Sequence, residues 1–262
     1  MEGRTAVVTG ATTGIGAEMA ERLAGYGAHL VLVARTAERL DESAMRLREK
    51  YGVEVITVPL DLAAPDAPRL LAQALGEAGI EVEMLVNNAG INALGAVADG
   101  NPAHLRAVVD VNAGALAETT ARMLPRMVER GHGSIINIAS TGAYSPTPYF
   151  AAYAASKAFV LSFTQALSVE TRNSGVRVLA VSPGPTETPM NTRPARGKRL
   201  PRDVVDTAVK ALEGSRSAVI DGRFNALTGF VLGRLLPPQV SARIAEKAMR
   251  NAVSSERASA SA

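Results

Sequence analysis

Apolar runs that do not alternate with polar residues recur along this chain, and each gives way to a stretch with helical character. Arg4 to Thr9 and His29-Leu30-Val31-Leu32-Val33-Ala34 are two such runs. A strand reads this way when both of its faces are covered, as in a parallel sheet. Ala17 to Ala24 has helix-favouring composition, and Thr36 to Lys50 has amphipathic helical spacing. The same alternation predicts strands at Val53–Val58, Glu83–Asn87, Ser134–Ala139 and Arg177–Val181, with a seventh near Ser217–Ile220. Repeated strand–helix units require right-handed crossovers and an open sheet with helices on both faces.

The expected fold is therefore an α/β, Rossmann-like doubly wound domain with a mostly parallel sheet of about seven strands. No linker divides the chain, so residues 1–262 are read as one dinucleotide-binding and catalytic domain. Within it, residues 186–250 are expected to supply a substrate loop and a C-terminal lid, and the polar tail 254–262 to be disordered. The Pro/Gly/Arg-rich stretch Pro183–Pro201 suggests a mobile loop.

Composition narrows the chemistry. There is no Cys, which excludes disulfides, thiolate nucleophiles and Cys-ligated metals. His29, His104 and His132 stand apart with no carboxylate at ligand spacing, so no metal site is expected. A net charge of +3 is too small, and aromatic residues are too sparse, for nucleic acid as a partner. Met1-Glu2-Gly3-Arg4 runs straight into the first strand without a leader pattern, so a cytoplasmic location is expected. Ala226 to Leu236 is too short to span a bilayer, which needs about 20 residues, and reads as a buried or lid helix; no membrane partner is expected.

Thr9-Gly10-Ala11-Thr12-Thr13-Gly14-Ile15-Gly16 lies between the first strand and first helix. Glycines there allow a tight turn and close approach to a phosphate, which the helix N-terminus then attracts. The spacing departs from G-x-G-x-x-G, and a turn without a ligand is the plain alternative. About twenty residues on, where an acidic residue would bind the ribose hydroxyls of NAD, stands Ala34-Arg35-Thr36. A guanidinium there suits a 2′-phosphate, so NADP(H) is expected in preference to NAD(H), unless Arg35 is only a solvated helix-start residue. Asp61-Leu62 follows the third strand; Asp61 either meets the adenine or caps a helix.

Tyr153 and Lys157 are four residues apart and share a helix face. A free phenol has a pKa of about 10, but a nearby ammonium and an oxidised nicotinamide would favour phenolate, letting Tyr153 act as acid or base. Ser140 ends a predicted strand and Asn112 precedes it in Asp110-Val111-Asn112-Ala113-Gly114. Carboxyl ends of parallel strands are where such sites collect. Over about residues 4–190 the chain resembles the short-chain dehydrogenase/reductase family, through Thr9–Gly16, Asn87-Asn88-Ala89-Gly90, Asn112, Ser140, Tyr153/Lys157 and Pro183-Gly184-Pro185-Thr186-Glu187-Thr188.

That resemblance implies a tetrad. Tyr153 would exchange a proton with the substrate oxygen and Ser140 would hydrogen-bond it. Lys157 would contact the nicotinamide ribose and lower the Tyr153 pKa, and Asn112 would hold a relay water. Asn88, Ala89 and Gly90 would support the adenosine side, Thr188 the carboxamide, and Pro183, Gly184 and Thr186 the ring. Taken singly, Ser140 could only cap, Asn112 could be a packing amide, and Thr188 could begin a turn. The resemblance also implies interconversion of a ketone and a secondary alcohol over double-bond reduction, since the enoyl reductases of this superfamily separate Tyr and Lys by a longer interval. A catalytically silent NADP(H)-binding or sensing protein is the alternative.

The expected substrate is a small carbonyl or alcohol compound. Arg193, Arg196, Lys198, Arg199 and Arg202 either attract an anionic carrier or form a solvated loop. Phe224, Leu227, Phe230, Val231, Leu232, Leu235 and Leu236 suggest an apolar lid, and with it an apolar substrate, or a core helix. The family resemblance suggests a homodimer or homotetramer, and the small-residue-rich helix around Ala151–Ala166 would allow its close packing.

Overall fold

The computed structural model describes residues 1–192 and 197–260. Seven strands, β1 (Thr5–Thr9), β2 (His29–Ala34), β3 (Val55–Pro59), β4 (Val82–Asn87), β5 (Gly133–Ile138), β6 (Val176–Ser182) and β7 (Ala218–Ile220), form one sheet in the order β3-β2-β1-β4-β5-β6-β7. Every neighbouring pair is parallel. The apolar runs read from sequence coincide with these strands to within two residues. The order reverses direction between β1 and β4, which opens a crevice at their carboxyl ends.

Helices α1 (Gly14–Gly25), α2 (Ala37–Tyr51) and α7 (Pro201–Leu212) bury Met19, Leu23, Leu40, Leu47, Val204 and Val205 against one face of the sheet. On the other face α3 (Ala67–Glu77), α5 (Leu116–Arg130) and α6 (Ala151–Glu170) contribute Leu71, Leu75, Met123, Met127 and Leu167. Residues 201–220 are thus part of the layered core and not only a substrate region. Between α4 (Pro102–Val109) and α5 the chain passes through a π-helical turn, Asp110–Ala115.

After β7 come α8 (Arg223–Phe230), a second π turn, Val231–Leu235, and α9 (Pro238–Ala260). The Ala226–Leu236 stretch is not the core helix that its composition allowed, because Leu227, Phe230 and Leu235 are exposed. Backbone helix also continues through residues 254–260, where disorder was expected; 261 and 262 lie outside the described residues.

Candidate active site

One cavity of about 1430 Å³ runs along the carboxyl edge of the sheet and joins both groups of candidate residues. At one end it is lined by Gly10, Thr12, Thr13, Gly14, Ile15, Arg35, Thr36, Asp61, Leu62, Asn88, Ala89 and Gly90. Gly10 and Gly14 have φ of +64° and +57°, the left-handed region that a side chain strains. A Cβ on Gly14 would come within 2.9 Å of Thr188 Cγ2 across the cavity. Thr13 precedes α1 without its side chain capping the helix, which leaves the first-turn N–H groups to a ligand. Asn88 holds the turn from behind: its Nδ2 donates to Thr9 O at 3.0 Å and Gly10 O at 3.1 Å.

At the other end stand Ser140, Tyr153, Lys157, Pro183, Gly184, Thr186 and Thr188. Ser140 Oγ accepts from Gly142 N at 3.1 Å, so it does cap the short turn Thr141–Tyr144, and its hydroxyl is near enough to the Tyr153 phenol to act on its pKa. Phe150 stacks on the Tyr153 ring at 4.3 Å. Just before α6, Tyr149 has φ +62°, a strained conformation that costs about 1–3 kcal/mol, and its carbonyl accepts from Gly95 N at 2.8 Å.

Burial pushes the Tyr153 phenol above its ordinary value, and the neighbouring Ser140 hydroxyl acts in the opposite direction. The expectation that Lys157 brings this phenol down is not met by the protein's own groups, where burial prevails. Lys157 Nζ donates to Ile138 O at 2.7 Å and sits 5.8 Å from the Tyr153 ring centroid. Burial draws the Lys157 ammonium down to about 8.

The sequence profile described as short chain dehydrogenase matches residues 4–198. The chain belongs to the short-chain dehydrogenase family. It is 34% identical over 240 residues to the human very-long-chain 3-oxoacyl-CoA reductase, covering 89% of this chain and 76% of that one. A short-chain dehydrogenase from Sphingobium yanoikuyae in complex with NADPH superposes with a TM-score of 0.80 at 33% identity, over 88% of this chain and 95% of that one. A 7β-hydroxysteroid dehydrogenase superposes with a TM-score of 0.86 at 26% identity, over 93% and 97% of the two chains.

Two of the candidate residues of this short-chain dehydrogenase do not line the cavity. Asn112 is fully buried: its Oδ1 accepts from Ile91 N at 2.9 Å, while its Nδ2 donates to Ile91 O at 2.9 Å and to Ser156 Oγ at 3.0 Å. The π turn that carries it reorients the helix locally, and a Cβ on Gly90 would lie 3.1 Å from Asn112 Oδ1 and 3.5 Å from Lys157 Nζ. Asn112 thus stands beside Lys157 and acts on the wall from behind. Gly16 is a packing position, since any Cβ there would overlap Gly10 O and Asn88 Nδ2.

Other readings resolve differently from their sequence form. Asp61 Oδ1 accepts from Ala63 N at 3.0 Å, forming a local turn, and α3 is preceded by Asp66 instead. Thr188 both lines the cavity and accepts from Asn191 N at 2.9 Å in a turn. In the basic stretch, Lys198 pairs with Glu187 at 2.8 Å and Arg199 with the buried Asp221 at 2.6 Å; Arg193 and Arg196 lie outside the described residues. Lys198 and Arg199 are therefore engaged in ion pairs, whereas Arg202 is exposed at the start of α7. The histidines serve ordinary contacts: His29 Nδ1 accepts from Glu54 N, His104 Nε2 meets Asn92 O, and His132 pairs with Glu83.

Sequence reasoning missed Arg39, Tyr144 and Phe150, which also line the cavity, and Asn225, whose amide fills the space beside Gly184. Arg39 lies four residues beyond Arg35, Tyr144 four beyond Ser140 and Phe150 three before Tyr153, so each left a local trace in the sequence, whereas Asn225 is brought to Gly184 only by the fold.

Proposed function

We propose that this oxidoreductase interconverts a ketone and a secondary alcohol, with NADP(H) as hydride carrier and Tyr153 as acid/base. The carrying observation is that Tyr153, Ser140 and Lys157 stand together in the wall of the same cavity into which the glycine turn opens. A half-buried, protonated phenol is suited to give its proton to a carbonyl oxygen, and Ser140 would hold that oxygen in line. The bound nicotinamide would supply the hydride. Lys157, next to Tyr153 and Asn112, would meet the ribose and return the proton, and Thr186, Thr188, Pro183 and Gly184 would fix the ring.

NADP(H) is favoured by Arg35 and Arg39, two guanidiniums in the wall beyond β2, where a carboxylate would repel a 2′-phosphate. The NADPH-bound relative at 33% identity supports the same preference. Ketone reduction is the working direction that this cofactor implies. The relatives that act on a long-chain 3-oxoacyl thioester and on a steroid support an apolar or bulky carbonyl substrate. Assembly as a homodimer or homotetramer is supported by exposed Phe159 and Val169 on α6.

The test is Tyr153→Phe, assayed by loss of nicotinamide absorbance against ketones, steroids and β-keto thioesters. The variant should fold, bind NADPH and lose at least about a hundredfold in turnover. Undiminished turnover removes Tyr153 from the reaction. A wild-type protein that binds NADPH tightly and turns over none of the panel would instead be a binding or sensing protein.

A further inference from the structure

Helix α8 and the turn after it carry their large apolar side chains outward. Phe224, Leu227, Phe230 and Leu235 are 74%, 61%, 54% and 62% exposed. The first turns of α9 add Val240 and Ile244, which with Arg243 and Lys247 fall at i, i+4, i+3 and i+7, one stripe of that helix, and all four are exposed. Ser241 Oγ donates to Leu232 O at 2.6 Å and clips α9 to the π turn, so these side chains sit on adjoining elements. Isolated exposed apolar residues are ordinary, but several on neighbouring helices mark an interaction site.

The charge pattern selects the occupant. From Gly222 to Ala245 there is not one Asp or Glu, and Glu246, the first acid of α9, is paired with Arg250 at 2.7 Å, while Arg223, Arg234 and Arg243 are exposed. A second copy of the chain packed on this face about a two-fold axis would set cation-bearing surface against itself. An anionic lipid surface meets both properties at once, because headgroup phosphates take the guanidiniums and the acyl boundary takes the phenyl and leucyl side chains. Among the described residues no helix is long and apolar enough to cross a membrane, so the contact is interfacial.

We propose that the α8–α9 face docks this protein on an anionic phospholipid surface. Phe224, Thr228, Leu232, Ala245 and Met249 also line the cavity, so the docked face forms the rim of the mouth. A carbonyl compound dissolved in lipid would then enter without crossing water. That consequence rests on the function proposed above, whereas the docking does not.

Vesicle co-sedimentation tests it, using phosphatidylcholine vesicles with and without phosphatidylglycerol. The wild type should pellet with the phosphatidylglycerol vesicles at low salt, be released by high salt, and remain in solution with phosphatidylcholine alone. Leu227→Asp/Phe230→Asp/Leu235→Asp, and separately Arg223→Gln/Arg234→Gln/Arg243→Gln, should each lower partitioning at least about tenfold. Circular dichroism and NADPH affinity should stay unchanged, as none of these six side chains lines the cavity. Wild type that does not pellet at low salt, or variants that partition like wild type, overturn the proposal. So does light scattering that shows a dimer dissociated by the apolar triple substitution, since the occupant is then a second copy. Vesicle binding with no turnover of any ketone would leave the docking intact and remove the enzymatic reading instead.

Discussion

Lys157→Met separates the stability of this fold from its chemistry. Lys157 is only 4% exposed, and burial draws its ammonium from the ordinary 10.5 to about 8. The folded-state pKa therefore lies below the unfolded one, and for a base this means that folding penalises the charged form. Below about pH 8 both states are protonated and the penalty is complete; it fades as pH rises through the interval between the two values and is gone above the higher one. The interval corresponds to about 3 kcal/mol at pH 7 and about 1 kcal/mol at pH 10. Methionine removes that penalty, but it leaves Ile138 O without the 2.7 Å bond, at a cost of about 2 kcal/mol. Without cofactor, Lys157→Met should thus be more stable than wild type by about 1 kcal/mol at pH 7 and less stable by a similar amount at pH 10. Thermal unfolding at the two pH values reads this directly, as about 2–4 °C per kcal/mol for a domain of this size. Turnover should be abolished at both. A variant less stable than wild type at pH 7, or a difference that does not change between pH 7 and pH 10, refutes the reasoning.

Two further expectations concern the cavity wall and the loop beside it. Arg35→Asp should raise KM for NADPH by at least about tenfold while changing NADH kinetics far less, and equal losses with both cofactors would remove the phosphate contact. In the Arg199–Asp221 pair the carboxylate is fully buried and also accepts from Thr207 Oγ1 at 2.6 Å, whereas Arg199 retains access to water. Arg199→Met should therefore destabilise by about 2 kcal/mol more than Asp221→Asn in urea unfolding, and the reverse order would show that the buried charge is not the costly partner.

The strands were legible because buried parallel strands need continuous apolar runs, so Val31 to Val33 and Leu179 to Val181 announce themselves locally. The glycine turn and the Tyr153/Lys157 pair were legible for a similar reason, each being a short-range pattern. What escaped depends on contacts between distant segments. Nothing near Asp221 indicates that Arg199 will reach it, and nothing near Asn112 indicates the π turn that hides its amide behind Gly90. The apolar letters of α8 fit a buried helix equally well, and only the placement of β7 and α9 decides that Leu227 and Phe230 face outward. The phenol was read through its charged neighbour, whereas in the folded chain the surrounding apolar volume dominates.

At the middle of the sheet Asn87 and Asn137 are register partners on β4 and β5, and Asn87 Nδ2 donates to Asn137 Oδ1 at 2.9 Å and to Thr120 Oγ1 at 3.0 Å. Asn137 Nδ2 in turn donates to Thr164 Oγ1 at 2.9 Å, which carries the chain of bonds into α6. Two smooth aliphatic strands could slide past each other by a pleat and lose little, but a slide here would strand four dry amide and hydroxyl groups. The pair acts as a key that admits one alignment. Since Lys157 is anchored one residue beyond Asn137, at the carbonyl of Ile138, fixing that alignment also fixes where the ammonium stands relative to the phenol.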